Sequence, residues 1–126
     1  MANFQYLTIE DVLDLHEEQL AAYGGATGVR DAGLIEAALQ RPQTGYYDGL
    51  LQEAAALWES LAMNHGFVDG NKRIGAAAAG VFLIINGMRM TAPMGSLSAF
   101  VLENLEAGTF RFETILTWLE ENTEQI

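Results

Sequence analysis

Residues 65–73 read His65-Gly66-Phe67-Val68-Asp69-Gly70-Asn71-Lys72-Arg73, and this stretch separates two apolar segments that have helical spacing. It contains a potential base, a carboxylate, an amide and two adjacent cations. Its last residues begin the second of the two helices, where main-chain N–H groups lack intrahelical partners and the helix dipole is positive. Because Lys72 and Arg73 are unfavourable in such a first turn, the stretch predicts that an anion binds there.

The rest of the chain is also predicted to be helical, because strand signals are weak and apolar residues mostly recur at helical spacing. Thr8 to Asp11 resemble a capping box, and Asp31 is a suitable N-cap. The small residues of 75–80 indicate close contact between helices, and residues 45–49 indicate a turn or short flap. We expect one compact all-α domain over residues 1–126, with the 65–70 loop between two central helices. Its helices, about six in number, are expected from Thr8 to Gly24-Gly25, from Asp31 to Pro42, and over 50–64, 71–86, 96–107 and 110–122.

Composition narrows the functional classes. Half of the 126 residues are hydrophobic, which suffices for a core, and the chain has no cysteine. The net charge of −11 opposes binding to nucleic acid and to anionic membranes. The N-terminus does not resemble a signal peptide, and no apolar run has the length of a membrane span. We therefore expect a cytoplasmic protein with no nucleic-acid or membrane partner, in which Lys72, the only lysine, marks a local exception to the acidic surface.

Two familiar sites do not fit residues 65–73. A phosphate-binding P-loop needs G-x-x-x-x-G-K-[ST] after a buried strand, but only three residues separate Gly66 from Gly70, and Arg73 stands in place of Ser or Thr. A zinc site is not supported by two histidines and no cysteine. Taken singly, each side chain also has a structural explanation, with Phe67 expected to be a core anchor. Their joint occurrence at a helix start favours a functional site.

The stretch resembles the signature H-x-F-x-(D/E)-(A/G)-N-(G/K)-R of the Fic/Doc superfamily. Residues 13–25, 28–34 and 37–42 also resemble the Doc branch of toxins, so that the likeness covers roughly the first seven-tenths of the chain. The resemblance implies a helical fold of the Fic/Doc type. It also implies that His65 takes a proton from a target hydroxyl, that Asp69 holds Mg²⁺, and that Arg73 acts with them in catalysis. The residues implied to hold the phosphates of ATP are Gly70, Asn71, Lys72 and Arg73.

Two positions separate the branches of the superfamily and concern the reaction. Lys72 replaces the glycine of typical AMP-transferring members, and Ala76 stands where they have a second arginine. The Doc branch shares both features, which implies transfer of the γ-phosphate of ATP rather than of AMP. Separately, Gly66 stands where the superfamily often has proline, alanine or a larger apolar residue.

By this resemblance the chain is expected to be the toxin of a toxin–antitoxin pair. The branch implies a protein kinase-like enzyme that phosphorylates a translation factor, elongation factor Tu, and that is restrained by an antitoxin protein. Two alternatives remain: a Fic-type transferase of AMP to a protein hydroxyl, and a catalytically degenerate module that binds a partner. The segment Thr117–Asn122 matches the short pattern [ST]-x-x-x-E-[GN] of self-inhibited members. Since Ala76 replaces the arginine that such a glutamate would pair with, we expect inhibition in trans.

Overall fold

The structure is a computed structural model that describes residues 3–126. Within that range six α-helices form the protein, which confirms the all-α prediction with about six helices. The elements follow in the order α1 (Ile9–Tyr23), α2 (Ala32–Gln40), a 3₁₀ turn (Arg41–Thr44), α3 (Leu50–Met63), α4 (Asn71–Ile85), β1 (Met88–Met90), α5 (Met94–Ala107), α6 (Phe112–Glu121) and β2 (Thr123–Gln125).

The helix starts expected from capping residues are confirmed. The Thr8 hydroxyl accepts a hydrogen bond from the Asp11 N–H, and the Asp11 carboxylate accepts one from the Thr8 N–H, which completes a capping box for α1. The Asp31 carboxylate accepts a hydrogen bond from the Leu34 N–H and caps α2. These two caps fix where α1 and α2 begin.

Helices α3 and α4 form the centre of the protein, with the 65–70 loop between them, as predicted. The contact is close at Gly75, where a Cβ atom would lie 3.1 Å from both Ala62 and Trp58. The absence of a Cβ atom at Gly75 therefore lets the two helix backbones approach. Rings from α5, α6 and the loop between them cover the other side of Trp58: Phe100, Phe110 and Trp118.

The end of the chain differs from the prediction in two respects. Helix α6 begins at Phe112 rather than Phe110, because a turn at 109–111 keeps Phe110 outside the helix, with its ring buried against Trp58. A two-stranded antiparallel ribbon pairs Met88 with Gln125 and Met90 with Thr123, and it was not predicted. Strands of three residues are too short to show an alternating pattern in the sequence.

No helix within residues 3–126 is long and apolar enough to cross a membrane.

Candidate functional site

The 65–70 loop is held in place by the segment that joins α1 to α2. The Gly66 carbonyl accepts hydrogen bonds from the N–H groups of Arg30 (2.8 Å) and Asp31 (2.9 Å), and the Val68 N–H donates to the Gly28 carbonyl at 3.0 Å. The Arg30 guanidinium donates to the His65 carbonyl at 3.1 Å. These bonds hold His65 in a left-handed conformation (φ 56°), which a residue with a side chain rarely adopts. The exposed His65 side chain therefore stands on a fixed backbone.

Phe67 is the core anchor of this loop, as predicted, with 2% of its surface exposed. Asn71, at the start of α4, closes the loop around it. The Asn71 Oδ1 atom accepts a hydrogen bond from the Phe67 N–H, and Nδ2 donates to the Phe67 carbonyl, both at 3.0 Å. The side-chain amide of Asn71 thus has a structural role, so only its main-chain N–H, in the uncapped first turn of α4, is available to a ligand.

Asp69 lies exposed beside the start of α4 with its carboxylate held by two main-chain donors. Oδ2 accepts from the Ala26 N–H at 3.0 Å, and Oδ1 accepts from the Gly70 N–H at 2.8 Å. These hydrogen bonds, from Ala26 first and Gly70 second, lower the pKa of Asp69, and the positive charge of Arg73 adds to the effect. Asp69 is therefore ionised at neutral pH and oriented, as a carboxylate that binds a cation must be.

Helix α4 starts at Gly70, which has the left-handed conformation (φ 78°) that glycine adopts without strain. Among the described residues no side chain caps this helix, so the first N–H groups of α4 are available to an anion. Lys72 and Arg73 extend from this first turn and are exposed. Arg73 donates to the Gly24 carbonyl at 3.3 Å, and its guanidinium carbon lies 5.2 Å from the centre of the Tyr23 ring.

A groove of about 900 Å³ runs along this helix start, and all six predicted site residues line it: His65, Asp69, Gly70, Asn71, Lys72 and Arg73. Ala76, one turn further along α4, also lines the groove. The opposite wall belongs to α5 and is mostly apolar, with Met94, Leu97, Val101 and Leu102. The volume lies within the usual range for sites that bind small molecules and cofactors.

The donor set fits Mg²⁺ only together with a ligand that brings its own oxygen atoms. Asp69 offers an ionised carboxylate, a hard oxygen donor of the kind that Mg²⁺ prefers. Within residues 3–126 no three His, Cys, Asp or Glu side chains gather as a metal site. One carboxylate plus phosphate oxygens is a common way for proteins to hold Mg²⁺.

A second cavity, of about 440 Å³, lies beside Arg41 between the end of α3, the end of α5 and the loop before α6, and several of its polar groups bond to one another. Arg41 donates to Glu59 at 2.7 Å and to Ser60 at 2.9 Å. The other oxygen of Glu59 accepts from the Phe112 N–H, so that it caps α6. This network gives Arg41, Glu59 and Ser60 a structural role, and the groove beside α4 remains the candidate site.

Two residues that contact the loop were not singled out from the sequence. Arg30 shows no local signal for its bond to His65. His16 does show one, because it shares the apolar face of α1 with Val12 and Leu20 at intervals of four residues. A polar side chain at a core position needs a hydrogen-bond partner, and His16, 4% exposed, finds it at the Asp69 carbonyl.

Known proteins match this chain over the segments that form the candidate site. The sequence matches the model of the Fic/DOC family over residues 6–83, which includes α1 to α4 and the loop. "Toxin Doc" of Mycolicibacterium smegmatis (strain ATCC 700084 / mc(2)155) is 50% identical over 93 residues, which cover 70% of this chain and 69% of that protein. "Protein kinase doc" of Escherichia phage P1 is 31% identical over 90 residues, or 68% of this chain and 71% of the relative.

Proposed function

The chain belongs to the Fic/DOC family, in its Doc branch, and we propose that it is the toxin of a toxin–antitoxin pair, an enzyme that transfers the γ-phosphate of ATP to a hydroxyl group of a translation factor. One observation carries the proposal: an exposed base, an oriented carboxylate, two cations and an uncapped helix start share a single groove. Phosphoryl transfer requires these groups, because its catalysis consists mostly of positioning and charge neutralisation.

In the proposed reaction the phosphates of ATP lie against the start of α4. The main-chain N–H groups of 71–73 donate to phosphate oxygens, and Lys72 and Arg73 supply positive charge. Asp69 would hold Mg²⁺, which would supply positive charge to neutralise the phosphates. Asp69 is suited to this task because its two hydrogen bonds leave the carboxylate ionised and fixed in direction.

His65 acts as the general base. A ring nitrogen of His65 takes the proton of the target hydroxyl while the hydroxyl oxygen forms a bond to the γ-phosphorus. The bond from that phosphorus to the bridging oxygen breaks, and ADP leaves. The left-handed backbone of His65, which Arg30 and the 28–31 segment support, holds the ring at the mouth of the groove.

Two residues of α4 favour transfer of the γ-phosphate over transfer of AMP. Ala76 lines the groove at the position of the second arginine, so no cation stands one turn beyond Arg73 to hold the outer phosphates. Lys72 brings side-chain volume and charge where AMP transferases have glycine. Together these two residues favour a nucleotide bound with its γ-phosphate towards His65.

The proposed partners are elongation factor Tu as the substrate and an antitoxin protein as the inhibitor. The names of the two relatives support the toxin and kinase roles. The apolar residues of α5 that line the groove would accept the apolar face of an antitoxin segment beside the catalytic residues.

Labelled ATP tests the proposal. The protein is incubated with Mg²⁺, elongation factor Tu and ATP that carries ³²P at either the γ or the α position, with His65→Ala as the matched control. We expect label from the γ position only, and none with His65→Ala. Label from the α position would instead support the AMP transferase. If neither label is transferred although ATP binds, the proposed reaction with elongation factor Tu is wrong.

A further inference from the structure

His16 contacts three residues of the loop that forms the candidate site, although it lies 53 positions before Asp69 in the chain. Its Nε2 atom is 2.8 Å from the Asp69 carbonyl oxygen. Its ring stacks on that of Phe67, with 3.8 Å between the ring centres and 14° between the planes. A Cβ atom at Gly70 would lie 3.4 Å from Nε2, so the imidazole also packs against the start of α4.

We propose that His16 is a positioning residue, which fixes the peptide group between Asp69 and Gly70 and thereby orients the Asp69 carboxylate in the groove; the catalytic consequence rests on the proposed function. A carbonyl oxygen only accepts hydrogen bonds, so Nε2 carries the proton. In a trans peptide the carbonyl and the N–H point in opposite directions. When His16 holds the Asp69 carbonyl, the Gly70 N–H is therefore directed away from it, to Asp69 Oδ1 at 2.8 Å.

The position needs such a restraint because Gly70 is conformationally permissive. With φ at 78°, Gly70 occupies a region in which the preceding peptide can rotate with little steric resistance. A rotated peptide would place its carbonyl oxygen against the Asp69 carboxylate, where two acceptors repel each other. The carboxylate would then lose a main-chain donor and its fixed direction. His16 is buried and stacked on a core anchor, which makes it a rigid donor against that rotation.

Three substitutions separate the effect of the His16 hydrogen-bond donor from the effect of its ring packing. His16→Phe keeps a ring on Phe67 but removes the donor, and His16→Gln keeps a donor at a similar reach but removes the ring. Val12→Ala, at a fully buried position one turn earlier on α1, is the control for destabilisation alone. The readout is amide hydrogen exchange at Phe67 and Gly70, with Ile115 at the start of α6 as a distant reference.

We expect exchange at Phe67 and Gly70 to accelerate in His16→Phe by roughly 2- to 12-fold relative to Ile115, the factor that corresponds to the net stability of one hydrogen bond. His16→Gln should restore most of the protection, and Val12→Ala should leave the ratio unchanged. The Mg²⁺ concentration needed for half-maximal ATP binding should rise in His16→Phe and recover in His16→Gln. Unchanged exchange at Gly70 in folded His16→Phe would overturn the proposal.

The unmodified protein supplies a test that does not depend on how the variants fold. The ¹⁵N chemical shifts of the His16 ring should show the proton on Nε2, and a ring protonated on Nδ1 alone would overturn the assignment. The exchange and tautomer measurements require no activity. A wild-type protein that transfers no label therefore refutes the proposed reaction, whereas unprotected Gly70 or the wrong tautomer refutes the role of His16.

Discussion

Gly66 offers a quantitative test of how the loop packs. It is buried, and a Cβ atom there would lie 2.5 Å from Cγ1 of Ile35, a side chain of α2 that is itself 1% exposed. No side-chain atom fits at that distance without movement of the Ile35 side chain, of α2 or of the loop. The glycine that departs from the superfamily pattern is therefore matched by a branched residue on the neighbouring helix, and the loop is packed there rather than loosened.

We expect Gly66→Ala to destabilise the protein. Excess volume in a well-packed core costs about 1–3 kcal/mol. Gly66 does not have a positive φ, so alanine also restricts the unfolded chain, which offsets about 0.4–1 kcal/mol of that cost. The net loss in the free energy of unfolding should be on the order of 1–2 kcal/mol.

In an Ile35→Ala background the effect of Gly66→Ala on the free energy of unfolding should change sign. Ile35→Ala alone should cost about 2–5 kcal/mol, because it leaves a cavity beside Gly66. Adding Gly66→Ala then fills part of that cavity and restricts the unfolded chain, so it should stabilise. Ile35→Val is the matched control, since valine keeps an atom at the Cγ1 position and should not relieve the contact.

Urea denaturation of the two single variants, the double variant and the wild type gives the coupling energy of this cycle. The reasoning fails if Gly66→Ala is neutral or stabilising in the wild-type background. It fails equally if the cost of Gly66→Ala is the same with alanine and with isoleucine at position 35.

Three further outcomes follow from other contacts. His65→Ala should abolish transfer with little change in the thermal midpoint, and wild-type turnover in this variant would exclude His65 as the general base. Phe67→Ala should instead lower the free energy of unfolding by about 3–5 kcal/mol in chemical denaturation, because its ring is fully buried. Burial and the hydrogen bond to Glu53 raise the pKa of Tyr6 to about 12, above the value of about 10 in an unfolded chain. The stability from Tyr6 is therefore fully present below about pH 10 and lost as the pH rises through 12. Tyr6→Phe should be about 1–3 kcal/mol less stable than the wild type at neutral pH, because buried Glu53 loses its hydrogen-bond donor. The denaturation midpoints of the two proteins should converge at alkaline pH. Equal midpoints at neutral pH would show that this bond contributes nothing. Glu121→Gly should leave transfer nearly unchanged, since Glu121 is not among the residues that line the groove, and a large gain in activity with intact stability would reveal an internal brake.

Local signals in the sequence were sufficient for the helices and for the position of the loop. Thr8 and Asp31 cap helices that begin where such residues predict, and the 65–73 stretch lies at a helix start, as its residue types indicated. The apolar side of the groove was not predictable in the same way. Helix α5 was expected as an element, but which of its residues face α4 depends on the tertiary packing of six helices.

Contacts between residues far apart in the chain could not be predicted from the sequence. The bond from Arg30 to His65 joins residues 35 positions apart, and the bond from His16 to Asp69 joins residues 53 positions apart. Neither pair has a spacing that a periodic pattern can reveal, because the partner atom is a main-chain carbonyl that any residue type would supply. His16 could have been noticed as a polar residue on an apolar face, but its partner could not have been named.

The two cations at the start of α4 differ in what they imply about a ligand. The sequence argument treated Lys72 and Arg73 alike, as charges that a bound anion would have to compensate. In the structure the positive charge of Arg73 is compensated by groups of the chain itself. Arg73 donates a hydrogen bond to the Gly24 carbonyl at the C-terminal end of α1, where the helix dipole is negative. Its guanidinium also lies over the Tyr23 ring. The Lys72 side chain makes no hydrogen bond or ion pair to any group in residues 3–126. The unfavourable charge at this helix start therefore rests mainly on Lys72, which together with Ala76 separates the Doc branch from the AMP transferases, and a phosphate group in the groove would neutralise it.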